Sequence, residues 1–109
     1  MLKISSSEKV YILKTATDMR ISFDRLSALV SESISNNVTS GGIYVFFNKS
    51  RDKVKILYWD KDGYALWYKR LEKGKFKIPI DESYEILLSE EMDLILDGME
   101  LARVKFRNK

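Results

Sequence analysis

The chain has 109 residues, of which 45% are hydrophobic and 32% are charged, and its formal net charge is +3. It contains no cysteine and no histidine, which excludes disulfides, thiolate nucleophiles, the common zinc sites and the usual general base near neutral pH. No apolar run approaches the length of a membrane span and no targeting leader is recognisable, so the sequence predicts a soluble, cytoplasmic protein without membrane association.

Charge is distributed unevenly along the chain. Residues 49–77 hold ten basic and four acidic side chains, residues 78–102 hold eight acidic and no basic ones, and residues 103–109 hold four basic ones. Segregation of this kind creates local fields that the small net charge hides. One interpretation is internal pairing between an acidic helix and a basic sheet. The other is a basic surface that meets an acidic partner.

The first half of the chain predicts a strand, a helix and a second strand. Residues 9–13 have the composition of a short strand. A helix is predicted over residues 22–36, with Ser22 as its N-cap and Asp24 in its first turn. Its apolar positions follow helical spacing: Phe23, Leu26, Leu29, Val30 and Ile34. The continuous apolar run Ile43–Phe47 is typical of a central strand that is buried on both faces.

The second half predicts a hairpin, another strand and a short helix. Aromatic and β-branched runs flank turn chemistry at residues 60–63, and residues 84–88 predict one more strand. A C-terminal helix is predicted over about residues 90–98, and the tail 103–109 predicts a final strand or an extended arm. The pattern predicts one α+β domain over residues 1–109, in which an antiparallel sheet of four or five strands packs one face against the main helix.

The hairpin of residues 53–76 contains both tryptophans and many lysines. If residues 61–63 form a three-residue loop with Gly63 in the left-handed conformation, Tyr58 lies opposite Leu66 and Ile56 opposite Tyr68. One face is then assigned to the core: Val54, Ile56, Tyr58, Leu66 and Tyr68. The other face is the candidate surface: Lys53, Lys55, Trp59, Trp67 and Lys69. A change of one residue in the turn would alter these assignments.

Several blocks of this sequence occur in the same order in a known family. They are Asp18-Met19-Arg20, the strand at 42–46, the run 53–60 that ends in Asp60, Gly63, and the run 66–76. With these blocks the chain resembles, over roughly residues 10–100, the TnpB accessory proteins of insertion sequence 66 transposons, which are unrelated to the RNA-guided nucleases of the same name. It departs from the family pattern at Ile21-Ser22, at Ile78 and after Met99. The resemblance implies a non-enzymatic protein without a cofactor that serves DNA transposition beside a separate transposase.

The basic and aromatic side chains of the hairpin support the strongest functional hypothesis. Lysine and arginine neutralise phosphates, and indole rings stack on unpaired bases or pack into a groove. The candidate nucleic-acid-binding residues are Lys53, Lys55, Trp59, Trp67, Lys69, Arg70, Lys73 and Lys75. Core filling and protection of exposed strands would explain the same composition. The expected partners are DNA at the element ends, transposase subunits of the same element, or both.

Two other hypotheses stay open. The chain would act as a protein-interaction module without direct DNA binding if residues 89–99 or the two tryptophans dock a partner. The other and weaker hypothesis is a metal-dependent nuclease that uses Asp18 and Asp60. An acidic-triad transposase is not expected, because it needs three carboxylates on a larger fold. Asp60 suits a turn, and Asp18 with Arg20 suits a helix cap with an ion pair, or a polar contact to a partner. We therefore expect no catalytic residue, no metal site and no small-molecule substrate.

Overall fold

The computed structural model describes residues 8–13, 15–77, 84–87 and 92. Five strands form its sheet, in the order β4-β3-β2-β1-β5. They are β1 (Val10–Leu13), β2 (Ile43–Phe47), β3 (Lys53–Asp60), β4 (Gly63–Arg70) and β5 (Tyr84–Leu87). An α-helix, α1 (Phe23–Ile34), and a 3₁₀ turn (Val38–Ser40) lie between β1 and β2. The α+β class is confirmed.

The prediction of a purely antiparallel sheet is wrong at one pair of strands. β1 runs parallel to β2, with Val10 opposite Ile43 and Leu13 opposite Phe46. The other neighbouring strands are antiparallel. Parallel neighbours need a long crossover connection, and residues 14–42, which include α1, supply it. The sheet is therefore mixed.

Helix α1 begins directly after the predicted N-cap. Ser22 occupies that position with extended backbone, although its side chain makes no capping hydrogen bond. Leu26 and Val30 are fully buried, which confirms the apolar stripe as the surface that faces the sheet. Phe23, in the first turn, stays 41% exposed. Ser35 ends the helix in the left-handed conformation with φ of 63°, so the helix stops short of the predicted residue 36.

Both faces of the sheet are covered, which explains why every residue of β2 is buried. On one face α1 packs against Tyr11, Leu13, Tyr44, Phe46 and Leu57. On the opposite face, strand residues such as Ile12, Val45 and Ile56 pack with Phe76 and Met92. Met92, which lies within the predicted C-terminal helix, has helical backbone and is fully buried. The rest of that helix and the tail 103–109 lie outside the described residues.

The β3–β4 hairpin has a register that differs from the predicted one. Asp60 pairs with Gly63, so the loop contains two residues and not three. Ile56 consequently lies opposite Trp67, and Lys55 lies opposite Tyr68. A shift of one residue moves every β4 side chain to the other face of the sheet.

The predicted grouping of side chains by face is therefore correct for β3 but wrong for β4. The β3 face predicted to be the surface is covered by α1, since Lys55 is 6% exposed and Trp59 packs with the core there. Trp67 packs with the core on the face opposite α1. Leu66 and Tyr64 pack on the α1 face with Trp59. Tyr68, predicted to be core, is 50% exposed.

The strain of the hairpin turn falls on Lys61 and not on Gly63. Lys61 has φ of 60°, and the Asp62 N–H donates to the Asp60 carbonyl across 2.6 Å. Gly63 is outside the left-handed region, and a Cβ added there would meet open space.

We expect Lys61→Gly to raise the free energy of unfolding by about 0.5–1 kcal/mol, because glycine adopts positive φ without steric cost. Gly63→Ala should be neutral or raise it by about 0.5 kcal/mol, because alanine reduces the entropy of the unfolded chain. Urea denaturation measures both variants. A loss of more than about 1 kcal/mol in Gly63→Ala would favour the three-residue loop instead.

Candidate functional site

Two basic segments meet at the end of the sheet that lies away from the hairpin turn. The β2–β3 turn (residues 48–52) and the segment after β4 (residues 71–77) are joined by two backbone hydrogen bonds of 2.7 Å. In one the Leu71 N–H donates to the Asp52 carbonyl, and in the other the Phe76 N–H donates to the Arg51 carbonyl. We call this region the basic end. Its cations are Lys49, Arg51, Lys53, Arg70, Lys73, Lys75 and Lys77.

The β2–β3 turn is organised by the Asn48 side chain. Its carbonyl oxygen accepts from the N–H groups of Asp52 and Lys53 at 3.1 and 3.0 Å. Its amide donates to the Asp52 carboxylate at 2.7 Å, and the Lys53 ammonium lies 3.7 Å from the same carboxylate. The hydrogen bond from Asn48, and then the charge of Lys53, lower the pKa of Asp52. Asp52, one of the few acidic groups at this end, is thus already bonded within the protein.

The segment after β4 is held by one aromatic residue. Phe76 is 2% exposed, and its ring centroid lies 5.5 Å from that of Phe47 in β2. Gly74 has φ of 77°, a conformation that glycine adopts readily, so the chain bends before Phe76 enters the core. This anchoring leaves Lys73, Lys75 and Lys77 exposed on the outside of the segment.

An exposed aromatic ring lies at the basic end, beside Lys53 and Arg70. Tyr68 is 50% exposed, and with Lys53, Arg70 and Glu72 it lines a concavity of about 300 Å³. Arg70 Nε donates to Glu72 at 2.9 Å, which raises the pKa of Arg70. A solvent-facing ring bordered by cations is a suitable stacking surface for an unpaired base.

Lys55 has an internal role that the sequence did not indicate. It is only 6% exposed, and its ammonium donates to the carbonyls of Met19 and Ile21 at 2.7 and 2.8 Å. The ammonium also lies 4.9 Å from the centroid of the Tyr68 ring. These bonds fasten the segment before α1 to β3. Lys55 is therefore unsuited to contacting a phosphate, and its predicted binding role is wrong.

The Asp18-Met19-Arg20 corner contains the predicted ion pair. Arg20 Nη2 lies 2.7 Å from Asp18 Oδ2, and the Arg20 N–H donates to Asp18 Oδ1 at 2.9 Å. Asp18 thus bonds Arg20, and the predicted cap on α1 is absent because the helix begins only at Phe23. Met19 packs against the core on the α1 face. The corner is thus fixed on its buried side by the hydrogen bonds from Lys55 and on its exposed side by the ion pair between Asp18 and Arg20.

The Asp18 carboxyl should titrate well below ordinary aspartate. The hydrogen bonds from Arg20 lower the pKa of Asp18 from 3.8 to about 2. Because the folded pKa lies below the unfolded one, the stabilisation is complete above about pH 4 and disappears as the pH falls through 2. A carboxyl NMR titration should show this midpoint, and Arg20→Gln should return it towards 3.8. An unshifted midpoint in the unsubstituted protein would contradict the ion pair.

The two tryptophans do not join the basic end. The Trp59 indole N–H donates to the Lys61 carbonyl at 3.1 Å, and its ring meets Tyr64 edge-on with centroids 5.2 Å apart. Trp59 lies six residues from Lys53 along β3, which corresponds to about 20 Å. Trp67 and Lys69 lie on the sheet face opposite α1. Of the eight candidate residues, four lie in or next to the two hydrogen-bonded segments of the basic end: Lys53, Arg70, Lys73 and Lys75.

The sequence hypothesis omitted four members of this region: Lys49, Arg51, Lys77 and Tyr68. A signal for the first three was present, because antiparallel neighbours β2, β3 and β4 place the β2–β3 turn beside the end of β4. Tyr68 was assigned to the core by the incorrect hairpin register. Its exposure follows once Asp60 is paired with Gly63.

The geometry gives no support to a nuclease built on Asp18 and Asp60. Asp18 lies close enough to Lys55 for the lysine charge to contribute to lowering the Asp18 pKa. Asp60 lies five residues beyond Lys55 along β3, about 17 Å away. The two carboxylates are therefore not neighbours. Among the described residues, no group of three acidic, histidine or cysteine side chains is placed to hold a metal ion. In the same part of the chain, no helix is long and apolar enough to cross a membrane.

Comparison with known proteins identifies the family. The model of the IS66 Orf2-like proteins matches residues 8–106. Two relatives from Sinorhizobium fredii, named "Uncharacterized protein y4hO" and "Uncharacterized protein y4jC", are each 32% identical to the chain over 101 and 106 residues. The alignments cover 92% and 96% of this chain and 88% and 91% of the relatives. No solved structure matches it. The chain belongs to the IS66 Orf2-like proteins, the TnpB family of IS66 insertion sequences.

Proposed function

We propose that this insertion-sequence protein is a non-enzymatic accessory factor for transposition that binds DNA at the element ends through its basic end. The observation that carries the proposal is the convergence of two hydrogen-bonded segments, residues 49–53 and 70–77, with seven basic and only two acidic side chains. Both acidic groups have partners within the protein: Asp52 bonds Asn48, and Glu72 bonds Arg70. The region therefore presents an excess of positive charge to solvent.

Phosphate neutralisation would supply most of the affinity. Five of the cations are exposed: Lys49, Arg70, Lys73, Lys75 and Lys77. Each phosphate contact with duplex DNA changes the slope of log affinity against log salt concentration by about 0.9. Five contacts thus predict a slope of about −4 to −5. Tyr68 would add a preference for frayed or single-stranded ends, since an exposed ring stacks on an unpaired base.

A salt titration tests the proposal. Fluorescence anisotropy would follow binding to a labelled duplex with the terminal inverted repeat, with the same duplex carrying a 3′ overhang, and with an unrelated duplex of equal length. We expect measurable affinity at about 50 mM salt that falls by two or more powers of ten at about 200 mM. Absence of binding at low salt, or an affinity that salt leaves unchanged, would contradict DNA recognition by this surface.

Binding of the transposase alone is the second candidate function. The route through Trp59 and Trp67 has little support, because both rings are partly buried and packed against the core. The acidic segment 89–99 lies outside the described residues except for Met92, which is buried. An acidic transposase surface on the basic end would satisfy the same charges. Capture of tagged protein by transposase without DNA, combined with no binding to the inverted-repeat duplex, would favour this function.

A further inference from the structure

Strand β4 forms one edge of the sheet and presents half of its backbone groups away from β3. In an antiparallel pair, alternate residues direct their N–H and C=O groups to the partner strand. Asp60 and Gly63 form the pair next to the two-residue loop, and at the other end of β4 the Leu71 N–H donates to the Asp52 carbonyl. The pairs that exchange hydrogen bonds fall at every second residue between these two positions. The odd-numbered residues of β4 therefore bond β3. The residues that direct their backbone groups outward are Tyr64, Leu66, Tyr68 and Arg70.

Over residues 63–68 this edge lacks the usual protection against pairing with another strand. Exposed edges are commonly shortened, bulged, interrupted by proline or marked with lysine. β4 is eight residues long and pairs with β3 in one continuous register without a bulge. From Gly63 to Tyr68 it contains neither proline nor a charged residue. Within the described part of the chain, no residue bonds its outward backbone groups.

The charges at the two ends of β4 are opposite in sign. The hairpin turn before the strand, residues 60–62, has a net charge of −1, and residues 69–72 at its end have a net charge of +1. An antiparallel strand of the same sequence would bring its positive end near the negative turn of the first copy, and a twofold axis would create this contact twice. A parallel copy would place like charges together.

We propose that β4 pairs antiparallel with β4 of a second copy of this chain, which joins two sheets into one across a twofold axis. Facing residues of neighbouring strands share a face of the sheet, so the axis is perpendicular to the sheet. Both α1 helices then lie on the same side of the joined sheet. The two basic ends lie at opposite extremes of the paired strands. This inference does not depend on DNA binding, since it concerns the isolated protein.

Light scattering coupled to size exclusion tests the pairing over a range of protein concentrations. We expect the mass to rise from 12.7 kDa towards twice that value as the concentration increases. Lys69→Glu with Arg70→Glu should raise the dimer dissociation constant about tenfold or more, and so should Asp60→Lys with Asp62→Lys, because each places like charges together. The combined fourfold variant should restore dimerisation, since it exchanges the two signs.

A backbone variant separates edge pairing from other dimers. Tyr68→Pro removes an outward N–H without removing a bond to β3, a position where edge strands tolerate proline. Tyr68→Thr is the matched control, because it retains the N–H and a strand-forming side chain. We expect the proline variant to be a folded monomer by circular dichroism and scattering, and the threonine variant to dimerise. A protein that is monomeric at every concentration, a dimer that persists in a folded Tyr68→Pro, or a fourfold variant that stays monomeric would each overturn the proposal.

Discussion

Replacing Lys55 by methionine should lower the free energy of unfolding by about 3 kcal/mol. The Lys55 ammonium donates to two main-chain carbonyls, those of Met19 and Ile21, from a position that is 6% exposed. Hydrogen bonds to a charged donor contribute about 1.5–3 kcal/mol each, and a buried acceptor left without a partner loses its water as well. Methionine retains the length and the apolar stem of lysine, so the loss reports the ammonium and little else.

Lys53→Met is the matched control, two residues away on the same strand. The Lys53 side chain is 32% exposed, and among the described residues its ammonium forms an ion pair with the Asp52 carboxylate alone, at 3.7 Å. Exposed ion pairs of this kind contribute less than about 1 kcal/mol. Urea unfolding of both variants provides the comparison. Equal stability of the two would show that the carbonyl bonds of Lys55 contribute nothing to folding.

The difference between a buried, hydrogen-bonded lysine such as Lys55 and an exposed one such as Lys53 determines which charge reversals can test function. A variant that changes Lys55 together with neighbouring surface lysines would place a carboxylate under two carbonyls and destabilise the domain. Loss of activity in such a variant would report unfolding. The useful positions are those whose side chains are exposed and outside the hydrogen-bonded framework, namely Lys73, Lys75 and Lys77.

Reversing those three lysines to glutamate should weaken binding to the inverted-repeat duplex on the order of 100-fold at low salt, and should reduce the salt slope by about 3. Each position loses a phosphate contact and gains repulsion. Stability should change by less than about 0.5 kcal/mol per site, since the side chains are exposed and Phe76 still anchors the segment.

The matched control reverses Lys9, Arg25 and Lys61, which are also exposed but lie outside the basic end. It changes the net charge by the same amount, so it isolates position from overall charge. We expect this control to retain most of its affinity and to support transposition in cells, and the basic-end variant to support neither. Equal losses in the two variants would mean that binding depends on net charge alone.

Much of the local structure was predictable because it depends on periodicity. The spacing of Leu26 and Val30 identified the buried side of α1, and the uninterrupted run Ile43–Phe47 identified a strand covered on both faces. The hairpin itself was also predicted correctly. The register of the hairpin was predicted incorrectly. A glycine at position 63 suggests left-handed backbone there, whereas Lys61 adopts that conformation. Composition does not reveal which residue of the turn accepts the strain.

The pairing of the strands and the arrangement of the site depend on contacts between residues that are far apart in the sequence, and a sequence pattern does not show these contacts. A strand-helix-strand order is typical of a parallel pair such as β1 and β2, and the prediction of an antiparallel sheet did not take it into account. Lys55 looked like any other lysine of the alternating run, since its role depends on carbonyls more than thirty residues earlier. The basic end, in contrast, follows from connectivity alone once β2, β3 and β4 are known to be sequential neighbours.

The parallel pairing of β1 and β2 also bears on the order of folding. β2, β3 and β4 follow one another along the chain, so they can assemble through short loops soon after they leave the ribosome. β1 precedes these three strands in the chain, yet it pairs with β2 only when the crossover that contains α1 closes, and it pairs on its other side with β5, which follows β4 in the chain. Both pairings of β1 thus depend on long connections. Until these pairings form, the growing chain exposes Val10–Leu13, all four of which are buried in the native state.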